Sequence, residues 1–104
     1  MSILKTIVDH KRKSVQEAKE LNPVKLLEKT IFFDSQPVSL KAYLKREDRV
    51  GIIAEIKKMS PSTGIINDKI DVEKLSISYM SSGASALSVL TDGKFFGGKN
   101  GDLE

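Results

Sequence analysis

Glu55 and Lys57 stand two residues apart at the end of a short apolar run, Val50-Gly-Ile-Ile-Ala-Glu-Ile56, and a breaker cluster, Ser60-Pro-Ser-Thr-Gly64, follows closely. A branched, apolar segment of this length closed by turn residues predicts a buried strand leading into a loop. Side chains alternate along a strand, so Gly51, Ile53, Glu55 and Lys57 share one face and Ile52, Ala54 and Ile56 the other. The second face is wholly apolar and is expected to pack against helices. The first becomes charged only at its carboxyl end, where parallel α/β folds bind ligands. A carboxylate and an ammonium placed there suit proton transfer or the binding of an anion. An ordinary ion pair at a strand end would use the same two residues, and the spacing alone leaves both alternatives open.

The elements that must position this pair can be read from the flanking pattern. After the loop, Asp71 is placed to cap a helix carrying Val72, Leu75, Ile77, Tyr79 and Met80, which Gly83 ends. Ala84 to Leu90 is a second apolar strand with Ala86, Ser88 and Leu90 on one face, and Thr91-Asp92-Gly93 closes it. Strand, helix and strand predict one βαβ unit with parallel strands and a right-handed crossover. Phe95-Phe96-Gly97-Gly98 is expected as a loop at the same end of the sheet as Glu55 and Lys57. Asp102-Leu103-Glu104 reads as the beginning of a further helix.

Upstream, Ile3, Leu4, Ile7, Val8, Val15 and Ala18 recur at helical spacing and predict an amphipathic helix over 3–20. Its polar face includes His10-Lys-Arg-Lys13, where interleaved acids and the lack of aromatics favour a solvated face over a nucleic-acid patch. Asn22-Pro23 predicts a helix start, with Asn22 as cap and a helix over 23–30. Phe32 and Phe33 are expected to cover core. Ser39 is placed to cap a short helix through Leu40, Ala42, Tyr43 and Leu44.

Composition narrows the function classes. The 104 residues are 39% hydrophobic and 30% charged, which fits one soluble domain or part of one. The absence of cysteine excludes a disulfide framework, a thiolate metal site and a cysteine nucleophile, and the single His10 excludes a histidine cluster. No apolar run approaches the ~20 residues of a membrane span, and a cytoplasmic setting is the default expectation. A net charge of +3 suits a small anionic substrate without requiring nucleic acid.

These residues resemble the indole-3-glycerol-phosphate synthase family, (β/α)8-barrel lyases of tryptophan biosynthesis. The family's strand ending in Glu-x-Lys and followed by Ser-Pro-Ser is matched by Glu55, Lys57, Ser60, Pro61 and Ser62. A second block is matched by Ala86-Leu-Ser-Val-Leu-Thr-Asp92, Phe95-Phe96-Gly97-Gly98 and Asp102-Leu103. A third is matched by Ile3-Leu4, Ile7-Val8 and Lys11-Arg12, similar to the family's additional N-terminal helix. The resemblance implies an α/β TIM barrel, with 1–49 as a helical extension and 50–104 as the first βαβ segment of a barrel of ~250 residues. Met59 and Lys99 depart from the residues usual in the family. The family's central catalytic lysine, a later glutamate and its phosphate loops have no counterpart among these residues.

What the resemblance implies for chemistry is ring closure of 1-(2-carboxyphenylamino)-1-deoxyribulose 5-phosphate with loss of carbon dioxide and water. Lys57 would act as an acid and attract the substrate's anionic groups, and Glu55 would serve in dehydration. Ser60 would hydrogen-bond substrate, while Leu90 and Phe96 would wall the aromatic ring. No metal or organic cofactor is implied, and no nucleic-acid or membrane partner. Another phosphate-binding barrel enzyme and a non-catalytic interaction module are the competing expectations. These 104 residues alone are expected to be inactive and to self-associate through open strand edges.

Overall fold

A computed structural model describes residues 2–104. The chain divides into two compact units, Met1–Val38 and Ser39–Glu104.

In the first unit, helix α1 spans Ile3–Leu21. Ser2 caps it, its Oγ accepting from the Lys5 N–H at 3.1 Å. One turn on, Lys5 Nζ pairs with Asp9 at 2.6 Å, an i,i+4 contact on an exposed face. Asn22 does not cap the next helix as its position before Pro23 suggests. Its N–H instead closes α1 on the Ala18 carbonyl at 2.8 Å, and Pro23 occupies the cap of helix α2, Val24–Leu27. That helix is shorter than the 23–30 expected, because turns take over from Glu28 onward. The Thr30 hydroxyl donates to the Leu27 carbonyl at 2.7 Å and helps end it. Phe32 and Phe33, expected over a core, are 77% and 50% exposed. They lie in a turn of a unit in which none of the described residues is buried, so they have no core there to cover.

The second unit begins with helix α3, Leu40–Leu44, whose Ser39 cap accepts from Ala42 N–H at 3.1 Å. Strand β1 is Ile53–Ile56, a hairpin of β2 (Met59–Ser60) and β3 (Gly64–Ile65) follows, then helix α4, Val72–Ser81, and strand β4, Ala86–Val89. β1 and β4 pair in parallel with Ile53 opposite Ala86, Ala54 opposite Leu87, Glu55 opposite Ser88 and Ile56 opposite Val89. The expected βαβ arrangement of parallel strands around a helix is therefore present. Asp71 caps α4 as expected, accepting from Lys74 N–H at 3.1 Å.

Both strands are shorter than their apolar runs, for a local reason. Val50 N–H donates to Gly83 O at 3.0 Å and Gly51 N–H to Ser85 Oγ at 2.9 Å, so this segment clasps the turn after α4 before the ladder starts. Gly51 makes that clasp at φ +70°, a conformation costly for residues with a Cβ. The Arg49 guanidinium donates to the Met80 carbonyl at 2.5 Å, satisfying a C-terminal acceptor of α4. Among the described residues, Ile56 and Ala84 are the buried apolar ones, at 3% and 5% exposure. Ile52, assigned to the helix-packed face, is 57% exposed, since it precedes the paired strand.

Two further differences concern the loops. The Ser-Pro-Ser-Thr-Gly cluster forms the antiparallel β2–β3 hairpin, in which Met59 faces Ile65 and Ser60 faces Gly64. Phe95 and Phe96 are not in a loop but in a short helix α5, Gly93–Phe96. Asp92 caps α5, accepting from Phe95 N–H at 2.8 Å, and Gly97 ends it at φ +68°. A 3₁₀ turn over Asn100–Leu103 follows, where a helix was expected to begin.

Candidate active site

The strand pair brings Glu55 and Lys57 together. Lys57 Nζ lies 3.7 Å from Glu55 Oε1, with both side chains partly open to solvent. β1 ends at Ile56, so Lys57 is the first residue past the strand and reaches back toward the carboxylate. The other carboxylate oxygen, Oε2, accepts from the Ser88 hydroxyl at 3.0 Å. Parallel register explains this: Ser88 is directly opposite Glu55, so their side chains project on the same face. Glu55 is thus held from two sides, by a cation along its own strand and a hydroxyl on the neighbouring one.

Ser60 is buried to 8% exposure. Its Oγ accepts from Thr63 N–H at 3.3 Å and lies 3.4 Å from Ser62 Oγ, so it organises the hairpin tip. Among the described residues no hydrogen bond joins it to Glu55 or Lys57. Leu90 follows β4 and donates its N–H to Ile56 O at 3.4 Å, which fixes it beside the carboxyl end of β1. Phe96 is half-buried in α5. The turn after α5 is pressed close to β4: the Gly98 N–H donates to Asp92 O at 2.8 Å, and an added Cβ at Gly98 would collide with the Leu90 carbonyl. Gly97 also passes near the hairpin, though less tightly, an added Cβ standing 2.9 Å from Met59 Cγ.

Ser88 and the pair Lys58–Asp102 were not singled out from the sequence as functional. Ser88 carries a signal in hindsight, being a hydroxyl in the middle of an apolar strand. Asp102 falls in the second block of the resemblance, but nothing in the sequence marks Lys58, 44 residues away, as its partner. Among the described residues no group of three His, Cys, Asp or Glu side chains is placed to hold a metal. No helix among them is long and apolar enough to cross a membrane.

The arrangement can hold an anionic group at the Lys57 ammonium and exchange a proton through Glu55 or Lys57, with Ser88 fixing the carboxylate's orientation. Comparison with known proteins shows which family the chain resembles. The family model described as indole-3-glycerol phosphate synthase matches residues 4–104. The chloroplastic indole-3-glycerol phosphate synthase of Arabidopsis thaliana is 40% identical over 99% of this chain and 27% of its own length. The indole-3-glycerol phosphate synthase of Carboxydothermus hydrogenoformans is 40% identical over 89% of the chain and 38% of its own length. That of Bacteroides thetaiotaomicron is 42% identical, covering 97% and 38%. The chain therefore spans roughly a quarter to two-fifths of the length of these curated relatives. With the family model covering residues 4–104, the chain belongs to the indole-3-glycerol phosphate synthase family.

Proposed function

We propose that this chain supplies the first catalytic elements of an indole-3-glycerol phosphate synthase. The observation that carries this is the Glu55–Lys57 pair, oriented by Ser88, at the carboxyl end of a strand in a parallel βαβ unit. On this reading residues 50–104 are the opening βαβ segment of a TIM barrel and residues 1–49 its helical extension. The substrate is 1-(2-carboxyphenylamino)-1-deoxyribulose 5-phosphate, a small phosphorylated anion. Lys57 donates a proton to the substrate carbonyl as the aromatic carbon attacks, and its charge draws in the carboxylate or phosphate. Glu55 takes part in the later loss of water. Ser60 contacts substrate, and Leu90 and Phe96 form the wall beside the aromatic ring.

An isolated pair of strands leaves main-chain donors and acceptors open on both outer edges, and Ile53 and Ile52 are largely exposed. The 104 residues by themselves are therefore expected to bind substrate weakly and not to turn it over. The test joins this segment to the remaining βα units of a relative and follows indole-3-glycerol phosphate formation. Lys57→Ala is expected to lower kcat/KM by ~10²-fold or more, the usual worth of a general acid. A rate within about threefold of the unaltered chimera would reduce Lys57 to a surface charge. Glu55→Gln is expected to let the decarboxylated, still hydrated intermediate accumulate in rapid-quench samples.

A further inference from the structure

Lys57 and Lys58 are adjacent, yet their side chains serve opposite sides of the sheet. Lys57 reaches Glu55, whose partner on β4 is Ser88. Lys58 instead lines the cavity of about 700 Å³ bounded by Leu87 and Val89, the residues on either side of Ser88. There its Nζ meets Asp102 Oδ2 at 3.3 Å, with side-chain exposures of only 17% and 7%. The same Asp102 oxygen accepts from the Lys99 N–H at 3.3 Å, so the carboxylate is fixed to the turn that carries it. The main chain of Lys58 is held too. Its carbonyl accepts from both Ile66 N–H, at 2.8 Å, and Asn67 N–H, at 3.0 Å. Lys58 is thus tied to the base of the β2–β3 hairpin by its carbonyl and to the segment after α5 by its ammonium.

We propose that Lys58 and Asp102 are a positioning pair, holding the segment after β1 so that the Lys57 ammonium stays at the Glu55 carboxylate. Lys57 lies outside the β1–β4 ladder, so the strands alone do not fix it. A sheltered ion pair one residue away supplies the missing restraint, because loss of either partner leaves the other charge poorly solvated and drives the segment to rearrange. The pair also links the two segments that carry the proposed site residues, Ser60 on one side and Phe96 on the other. This role rests on the catalytic reading of Glu55 and Lys57.

The test uses the 104-residue chain labelled with ¹⁵N and ¹³C and the variants Asp102→Asn, Lys58→Gln and Lys58→Arg. Amide exchange is read along the chain, and Lys57 Nζ proximity to Glu55 by cross-relaxation. Asp102→Asn and Lys58→Gln are expected to speed exchange at residues 57–60 by about tenfold and to abolish the Lys57–Glu55 signal, leaving Ala54–Ile56 and Val72–Ser81 within about twofold. Lys58→Arg, which keeps the pair, is expected to restore both. Unchanged exchange at 57–60, acceleration spread evenly through β1 and α4, or failure of Lys58→Arg to rescue would each overturn the proposal. Should Asp102→Asn lose its dispersed spectrum, Lys58→Gln is read in its place. Loss of dispersion in both would make the pair merely structural and equally overturn it. Adding the proposed substrate to the unaltered chain separates the two ideas. Absence of shifts at Glu55 and Lys57 would count against the catalytic reading, while the exchange data judge the positioning pair on their own.

Discussion

The two units are built on different principles. In Met1–Val38, α1 is sustained by contacts between residues three or four apart: the Ser2 cap, the Lys5–Asp9 pair, and Ser14 Oγ donating to the His10 carbonyl at 3.1 Å. Neither α1 nor α2 buries a residue. In Ser39–Glu104, the defining contacts join distant residues: Glu55 with Ser88, Gly51 with Ser85, Arg49 with Met80 and Lys58 with Asp102. Among the described residues the buried ones, Ile56, Ser60, Ala84 and Ser85, all lie there. Local rules suffice to make a helix or to bring Lys57 to Glu55, but the Ser88 hydroxyl that orients the carboxylate needs strands brought together from afar. The proposed site residues accordingly all lie in the second unit.

The contrast can be broken most forcefully at Ile56. Ile56→Ala removes the larger of two buried apolar side chains and is expected to cost about 2–5 kcal/mol. Amide dispersion from residues 39–104 should collapse in a ¹⁵N spectrum while the helical signals of α1 persist. Equal loss in both units would erase the distinction. Next comes Gly98→Ala, which forces a Cβ onto the Leu90 carbonyl and is expected to destabilise the second unit by about 1–3 kcal/mol in urea melts. A neutral result would mean the turn after α5 is free to move. Ser2→Ala should cost about 1 kcal/mol, reduce the helical signal of residues 3–8, and leave the Glu55–Ser88 contact unchanged.

The smallest effect is expected from pH. Arg46 hydrogen-bonds Asp48 and holds its carboxyl below the ordinary value of 3.8, while Asp48 in turn raises the Arg46 guanidinium. A depressed folded-state carboxyl contributes stability above its unfolded value and loses it as pH falls through the folded value. The window is therefore acidic, below the ordinary carboxylate range. Both side chains are exposed, so screening by water and salt keeps the effect small. A ¹³C titration of Asp48 should show the depressed midpoint, and Arg46→Gln should return it to normal. An unshifted midpoint in the unaltered chain would dismiss the pair as a crossing of mobile side chains.

Legibility in the sequence follows the same division between near and far. The Ser39 and Asp71 caps, the amphipathic α1 and the parallel pairing of the two apolar runs were all written in local pattern, as was the approach of Lys57 to Glu55. Errors arose where a neighbour competed for a group. Asn22 before Pro23 has the form of a helix start, but Asn22 serves as the C-cap of α1 and Pro23 takes the cap position of α2. The Phe-Phe-Gly-Gly stretch has the form of a loop, but Asp92 supplied the cap that winds Phe95 and Phe96 into a turn of helix. The size of Phe32 and Phe33 predicts burial, while what decides it is whether a core exists to receive them. Lys58 and Asp102 could not be matched at all, since nothing local marks which of many lysines and aspartates will meet.

The β2–β3 hairpin has a consequence for how this part of the molecule can change. Ile66 and Asn67 both return to the Lys58 carbonyl, so the path from Met59 to Ile65 leaves the framework and comes back to the same atom. Residues 59–65 are in effect a detour, and its exposed tip at Ser62–Thr63 is a graft point. A few residues added there would lengthen the excursion without altering the spacing between Lys57 and α4. The tip can then vary in length and sequence while Lys57 stays within 3.7 Å of Glu55.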